Sequence, residues 1–148
     1  MNTQKWFEEA LPNPTPDNFR VQLGCHLEEV FEMLDSLTVE GHWKVYHVQA
    51  MQALGKFADA LKAGYIKVEE VNVKEFVDSW ADQMVTLKGL AHIAKIQTEA
   101  VIAEVDRSNF SKFVDGKPVF NQDGKITKGQ DYSPPNLEPH LPTKVFWK

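Results

Sequence analysis

Apolar residues recur three and four places apart along most of this chain, a spacing that predicts helices rather than strands. Phe19, Leu23, Leu27, Val30, Phe31, Leu34 and Leu37 fall on one such face, which predicts a helix from about Phe19 to Leu37 packed along that stripe. The proline-rich break LPNPTPDN precedes it, and Asp17 or Asn18 is placed to cap it. After Gly41, the stretch WKVYHVQAMQALGKFADALKAG predicts a second long helix closed by Gly64, with Trp43, Val48, Met51, Leu54, Phe57 and Leu61 as its expected core. Asn72 caps a further helix reaching about Ile93, whose apolar side carries Val77, Trp80, Met84 and Leu87. A last helix, TEAVIAEVDRSNFSKF, starts at Thr98 and ends near Phe113.

Beyond it the pattern changes. The stretch KPVFNQDGKITKG alternates around a DG dipeptide, which predicts a hairpin, and QDYSPPNLEPHLPTKVFWK is proline-rich loop. The fold expected is all-α: one helical bundle over residues 1–148, with residues 1–18 as an N-terminal segment and 114–148 as a loop or hairpin C-terminal arm.

A chain of 148 residues can bury a core without a disulfide or zinc staple. Its single cysteine, Cys25, has no internal partner, and no Cys/His group has zinc spacing, which suits a reducing cytoplasm. MNTQKWFEEALPNP lacks a basic region followed by an apolar run, and no stretch reaches the roughly 18 apolar residues of a membrane span, so a cytoplasmic protein without a membrane partner is expected. A net charge of −5 argues against general nucleic-acid binding. The basic residues are uneven, however: Lys112, Lys117, Lys125, Lys128, Lys144 and Lys148 crowd into the last third, where an anion would be met.

Acidic residues border the apolar stripes of two helices. Glu28, Glu29 and Glu32 share one sector of the first, with Glu28 and Glu32 roughly 40° apart and Glu29 about 60° beyond. Asp78 and Asp82 stand one turn apart on the Asn72-capped helix, with Glu75 close to the same line. A solvated face explains either cluster alone. Asp is a poorer helix former than Glu, however, and like charges at i and i+4 cost a few tenths of a kcal/mol unless a cation lies between them. If the two helices face each other, their carboxylates form an all-oxygen site for Mg²⁺, with Mn²⁺ as the alternative, rather than for iron or zinc. Mg²⁺ commonly shares its shell with phosphates, so a phosphorylated substrate follows.

The Glu-Glu-x-x-Glu motif, a second helix with Asp before an apolar run, then EVDRSNFSKF, DGK, KG and YSPP, in that order over about residues 19–137, resemble the all-α nucleoside triphosphate pyrophosphohydrolases: the MazG-like enzymes, dimeric dUTPases and phosphoribosyl-ATP pyrophosphohydrolases. The resemblance implies Mg²⁺-dependent cleavage of a nucleoside triphosphate, of dUTP or dCTP type, between the α and β phosphates, to monophosphate and pyrophosphate. It implies a homodimer or homotetramer in nucleotide-pool housekeeping. By the same resemblance Glu29, Glu32 and Asp82 match metal ligands, and Glu28 matches the catalytic carboxylate that helps ligate metal or positions the attacking water. The family's Glu-x-x-Asp would place Glu at position 79, where this chain has Ser79; Asp78 is then the fourth ligand, as in phage-like members reading Asp-x-x-x-Asp, with Glu75 the alternative. Asn109 and Lys112 resemble the family's nucleotide-contacting pair, and Lys128 and Tyr132 lie on the arm that would fold over the phosphates, beside Lys117 and Lys125. Arg107 is a weaker candidate. Two alternatives stand beside this one: a non-catalytic helical interaction module that keeps the fold, and a phosphoribosyl-ATP pyrophosphohydrolase.

Overall fold

A computed structural model describes residues 2–122 and 126–143. Among the described residues the regular elements are all helical: α1 (Thr3–Ala10), α2 (Pro16–Asp35), α3 (Trp43–Ala63), α4 (Val73–Ile93) and α5 (Thr98–Phe110), then a short 3-10 turn at Glu138–His140. It divides into two compact units.

One unit, essentially residues 13–69, is the antiparallel hairpin of α2 and α3. Helix α2 begins three residues before the position expected from the apolar pattern. Thr15, not Asp17 or Asn18, is its N-cap: the Thr15 hydroxyl accepts from the Asn18 N–H (3.2 Å) while Asn18 Oδ1 accepts from the Thr15 N–H (2.8 Å). This reciprocal capping box satisfies donors that the first turn leaves open, and Pro16, with no N–H to lose, sits at the first helical position. Helix α3 matches its expected bounds and ends at Gly64, whose φ of 81° is the left-handed cap glycine tolerates best.

The two helices touch closely at Gly24. A Cβ there would lie 2.9 Å from the Ala58 carbonyl and 2.7 Å from Lys62 Cγ, so only glycine permits this approach. One turn pair further along, the Phe31 ring packs over Gly55. Arg20 donates to the last-turn carbonyls of Leu61 and Lys62, where orphan acceptors and the negative end of the α3 dipole gather. At the other end, His47 Nε2 donates to the Leu34 carbonyl (3.0 Å). Met51, Ala58 and Leu61 are buried, whereas Trp43, Val48 and Phe57, expected in the core, are exposed, Trp43 by 62%. Periodicity marks a face that favours cover, and in this chain α2 is too narrow to cover the whole face of α3.

The other unit holds α1, α4, α5 and the arm. Its core is built where α1 meets the end of α5: Trp6, Ala10 and Phe113 are buried, with Phe7, Leu11, Phe110 and Ile126 packed around them. Trp6 stacks on Phe113 with centroids 6.0 Å apart and planes at 22°. Helix α1 lies within residues 1–18, the N-terminal segment to which the apolar pattern assigned no element. It is short, and its apolar positions Trp6, Phe7 and Ala10 are too few to stand out as a periodic stripe.

Helix α4 starts after Asn72, whose side chain accepts from the Glu75 N–H, and runs to Ile93 as its pattern predicts. Its expected core residues are not buried. Val77, Trp80, Met84 and Leu87 are all exposed, and Ala91 is the buried residue of the helix. Helix α5 ends at Phe110, three residues before the expected boundary. In the arm, isolated antiparallel bridges join Val114 to Lys117 and Phe120 to Ile126. The DG turn of the expected hairpin, with Lys125, lies outside the described residues, as do Lys144 and Lys148.

Candidate functional site

Glu28 and Glu32 of the α2 acidic cluster line a cavity of about 160 Å³, walled also by Phe31, Gly55, Ala58, Asp59 and Lys62. The Lys62 ammonium crosses from α3 to Glu28 Oε1 at 2.7 Å and also meets Asp59 Oδ1 at 3.0 Å. Lys62 is partly buried, with its side chain 14% exposed. Burial alone pushes its pKa down, but the hydrogen bonds and charges of Glu28 and Asp59 outweigh that and hold it above its ordinary value. Glu32 is an exposed part of the wall, and Glu29 is exposed and outside the cavity lining.

Asp78 and Asp82 lie one turn apart on α4, both exposed, as is Glu75. They belong to the other unit from Glu28, Glu29 and Glu32. Among the described residues no group of three or more His, Cys, Asp or Glu side chains is gathered closely enough to hold a metal ion. The donor chemistry nevertheless fits a hard cation. Glu29, Glu32, Asp78 and Asp82 are exposed oxygen donors, the ligand type a hard cation takes.

The second candidate constellation forms at the end of α5. Lys112 Nζ donates to Asn109 Oδ1 (2.7 Å), so the pair expected to contact a nucleotide is brought together one turn apart. Trp6 stands behind it: its indole N–H donates to the Asn109 carbonyl (3.0 Å), and the Lys112 ammonium lies 5.9 Å from its ring centroid. Thr3 Oγ1 donates to the buried Asp106 carboxylate (2.6 Å), a second tie between α1 and α5. On the arm, Lys128 lies 4.8 Å from the Tyr132 ring centroid, and the Tyr132 N–H closes a turn on the Gly129 carbonyl (3.1 Å). Gly129 presses against the end of α5: a Cβ there would lie 2.6 Å from Val114 Cγ2 and 3.4 Å from the Lys112 carbonyl. The turn that carries Lys128 and Tyr132 therefore abuts the backbone of Lys112, just past the end of α5.

Arg107 is engaged otherwise. Its guanidinium grips Glu104 through Nε (2.9 Å) and Nη2 (2.7 Å), and Nη2 also donates to the Pro134 carbonyl (2.9 Å). Hydrogen bonds from Arg107 and then from the Asn136 N–H hold the Glu104 carboxyl far below its usual range, at about 2. The same ion pair raises the pKa of Arg107.

No family model, curated protein or solved structure matches the chain. Among the described residues no helix is long and apolar enough to cross a membrane.

Lys62, Asp59 and Glu104 escaped the sequence-based expectation. Gly24, a glycine inside an apolar helix, signals a close approach by a neighbour without saying which residue makes it. Nothing local points to Glu104, whose partner Asn136 lies 32 positions away.

Proposed function

We propose that this protein is a Mg²⁺-dependent nucleoside triphosphate pyrophosphohydrolase, cleaving a nucleoside triphosphate of dUTP or dCTP type to the monophosphate and pyrophosphate. The observation that carries this is the Asn109–Lys112 pair at the end of α5, with the turn that bears the Lys128–Tyr132 pair abutting the Lys112 backbone. It offers an amide, an aromatic ring and ammonium groups, the equipment for a sugar or base edge and for phosphate oxygens. The acidic faces of α2 and α4, in the order the resemblance requires, support the same reading.

By the resemblance, the cation's ligands would be drawn from Glu29 and Glu32 on α2 and from Asp78 and Asp82 on α4, with Glu75 the alternative to Asp78. When bound, Mg²⁺ neutralises charge on the phosphates and lowers the pKa of its waters. Glu28 accepts the proton of the attacking water, and its hydrogen bond to Lys62 fixes where that carboxylate points. Lys112 and Lys128 neutralise the departing pyrophosphate while Asn109 and Tyr132 orient the nucleoside. Exposed Trp80, Val77 and Leu87 on α4 favour a homodimer or homotetramer in which these faces are covered.

Glu29→Ala and Asp82→Ala, assayed with Mg²⁺ against the canonical and deaminated (d)NTPs, test this reading. Both are expected to lose activity by more than about 100-fold, as removal of a ligand or of its support does. Parent-like turnover by either variant would remove the site assignment, and release of phosphate without pyrophosphate would sink α–β cleavage. The Lys62 ammonium already seated on Glu28 favours a second reading, a non-catalytic helical interaction module. That reading predicts no turnover of any nucleotide by the parent chain.

A further inference from the structure

The segment Ser133–Asn136 runs along α5 in the opposite direction to the helix. Ser133 meets Ser111, Pro134 meets Arg107, and Asn136 meets Glu104. Pro134 and Pro135 have no N–H, so Ser133 and Asn136 carry the backbone donors of this stretch. Both are matched by side chains of α5 and its C-cap: the Ser133 N–H reaches Ser111 Oγ at 2.9 Å and the Asn136 N–H reaches Glu104 Oε1 at 2.7 Å. The prolines also restrict φ, which lowers the entropy lost when the segment lies down.

Glu104 and Arg107 each serve twice. Glu104 Oε1 takes both Arg107 Nη2 and the Asn136 N–H, and Arg107 Nη2 serves both Glu104 and the Pro134 carbonyl. An i,i+3 ion pair on a helix needs neither backbone contact. The pair is thus shaped to receive a strap with one acceptor and one donor, and the strap presents the complementary pair. Immediately before the strap comes the Gly129–Tyr132 turn, which abuts the Lys112 carbonyl and carries Lys128 against Tyr132.

We propose that Glu104 and Arg107 are positioning residues for a polyphosphate site: by latching residues 133–136 onto α5 they set Lys128 and Tyr132 against Asn109 and Lys112, so that the phosphate chain of a nucleotide is held between arm and helix. This rests on the reading of that locality as the nucleotide site. Neither residue touches the nucleotide; each acts through the strap.

The double exchange Glu104→Arg with Arg107→Glu tests it in the full chain. The exchange restores an ion pair on α5 and leaves the net charge unchanged, yet sets a donor against the Asn136 N–H and an acceptor against the Pro134 carbonyl. Three quantities are measured: thermal midpoint, hydrogen exchange at the Ser133 and Asn136 amides, and affinity for inorganic tripolyphosphate by calorimetry. The expected result is a midpoint within a few degrees of the parent, with amide exchange accelerated about tenfold or more and tripolyphosphate bound about tenfold more weakly. Where nucleotide turnover is measurable, KM rises and kcat changes little. Unchanged exchange would overturn the latch. Faster exchange with unchanged tripolyphosphate affinity would overturn the positioning role, as would a parent protein that binds no tripolyphosphate. A parent that binds tripolyphosphate but hydrolyses no nucleotide would sink the pyrophosphohydrolase reading and leave the latch and its polyphosphate site standing. If the exchanged protein does not fold, Glu104→Gln, which keeps an acceptor for Asn136, is expected to show a smaller loss of affinity than Glu104→Met; equal affinities would again overturn the proposal.

Discussion

The Lys62 ammonium lies 2.7 Å from Glu28, so a residue of α3 holds the first carboxylate of the α2 acidic cluster. The link forms one turn from Gly24, where the two helix backbones come close enough for the lysine stem to lie along α2.

Replacing Lys62 with Met is expected to destabilise the hairpin by about 1–2 kcal/mol, because a charge-assisted hydrogen bond is lost and Glu28 is left beside Glu32 and Asp59. The pH dependence has a definite sign. The folded pKa of Lys62 lies above its ordinary 10.5, so its stabilising contribution is complete below 10.5 and is lost as pH rises through the higher folded value. Urea melts of parent and Lys62→Met at neutral pH and above pH 11 check this; a difference that persists undiminished at high pH would contradict it.

Gly24→Ala sets two effects against each other. Alanine favours the helix by about 1 kcal/mol, whereas forcing a methyl to 2.9 Å from the Ala58 carbonyl overpacks the contact by about 1–3 kcal/mol. The clash is with backbone, which cannot rotate away, so a net loss of about 1 kcal/mol is expected from the denaturant midpoint.

Glu104 makes the strap acid-sensitive. Its carboxyl titrates at about 2 in the folded chain against an ordinary 4.5, so its contribution is present above 4.5 and disappears as pH falls through 2. Exchange at Ser133 and Asn136, corrected for the intrinsic pH dependence, is expected to accelerate over that window in the parent. In Glu104→Gln, which carries no titrating carboxyl there, the corrected rates are expected to stay level.

Trp6→Phe keeps an aromatic ring against Phe113 but removes the indole N–H that serves the Asn109 carbonyl. A loss of about 1–2 kcal/mol is expected from that hydrogen bond. Trp6→Ala removes the ring as well and is expected to cost about 3–5 kcal/mol. Equal midpoints for the two variants would show that the hydrogen bond rather than packing holds α1 to α5.

The apolar periodicity of this chain is enough to predict α3 and α4 nearly to the residue, because Gly64 and Asn72 mark their ends with chemistry local to the backbone. The resemblance, not the periodicity, singles out Asn109 with Lys112, three residues apart, and the two meet at the end of α5. Helix α2 starts earlier than expected because its capping box engages Thr15 and Asn18 together, a pairing of side chains with backbone that an apolar stripe does not express. Periodicity likewise marks Trp80 and Leu87 as one apolar side of α4 without saying what covers it; in this chain both are exposed.

What local pattern determined is therefore the inventory: helices, their caps, and which acids and lysines stand a turn apart. What only tertiary structure decided is pairing across long separations. Lys62 on Glu28, Trp6 on Asn109, and Asn136 on Glu104 each join residues whose own neighbourhoods give no sign of the other. The physical reason is range: capping and helical spacing act within a few residues, while an ion pair between helices or a strap on a helix exists only after packing has brought distant backbone into contact.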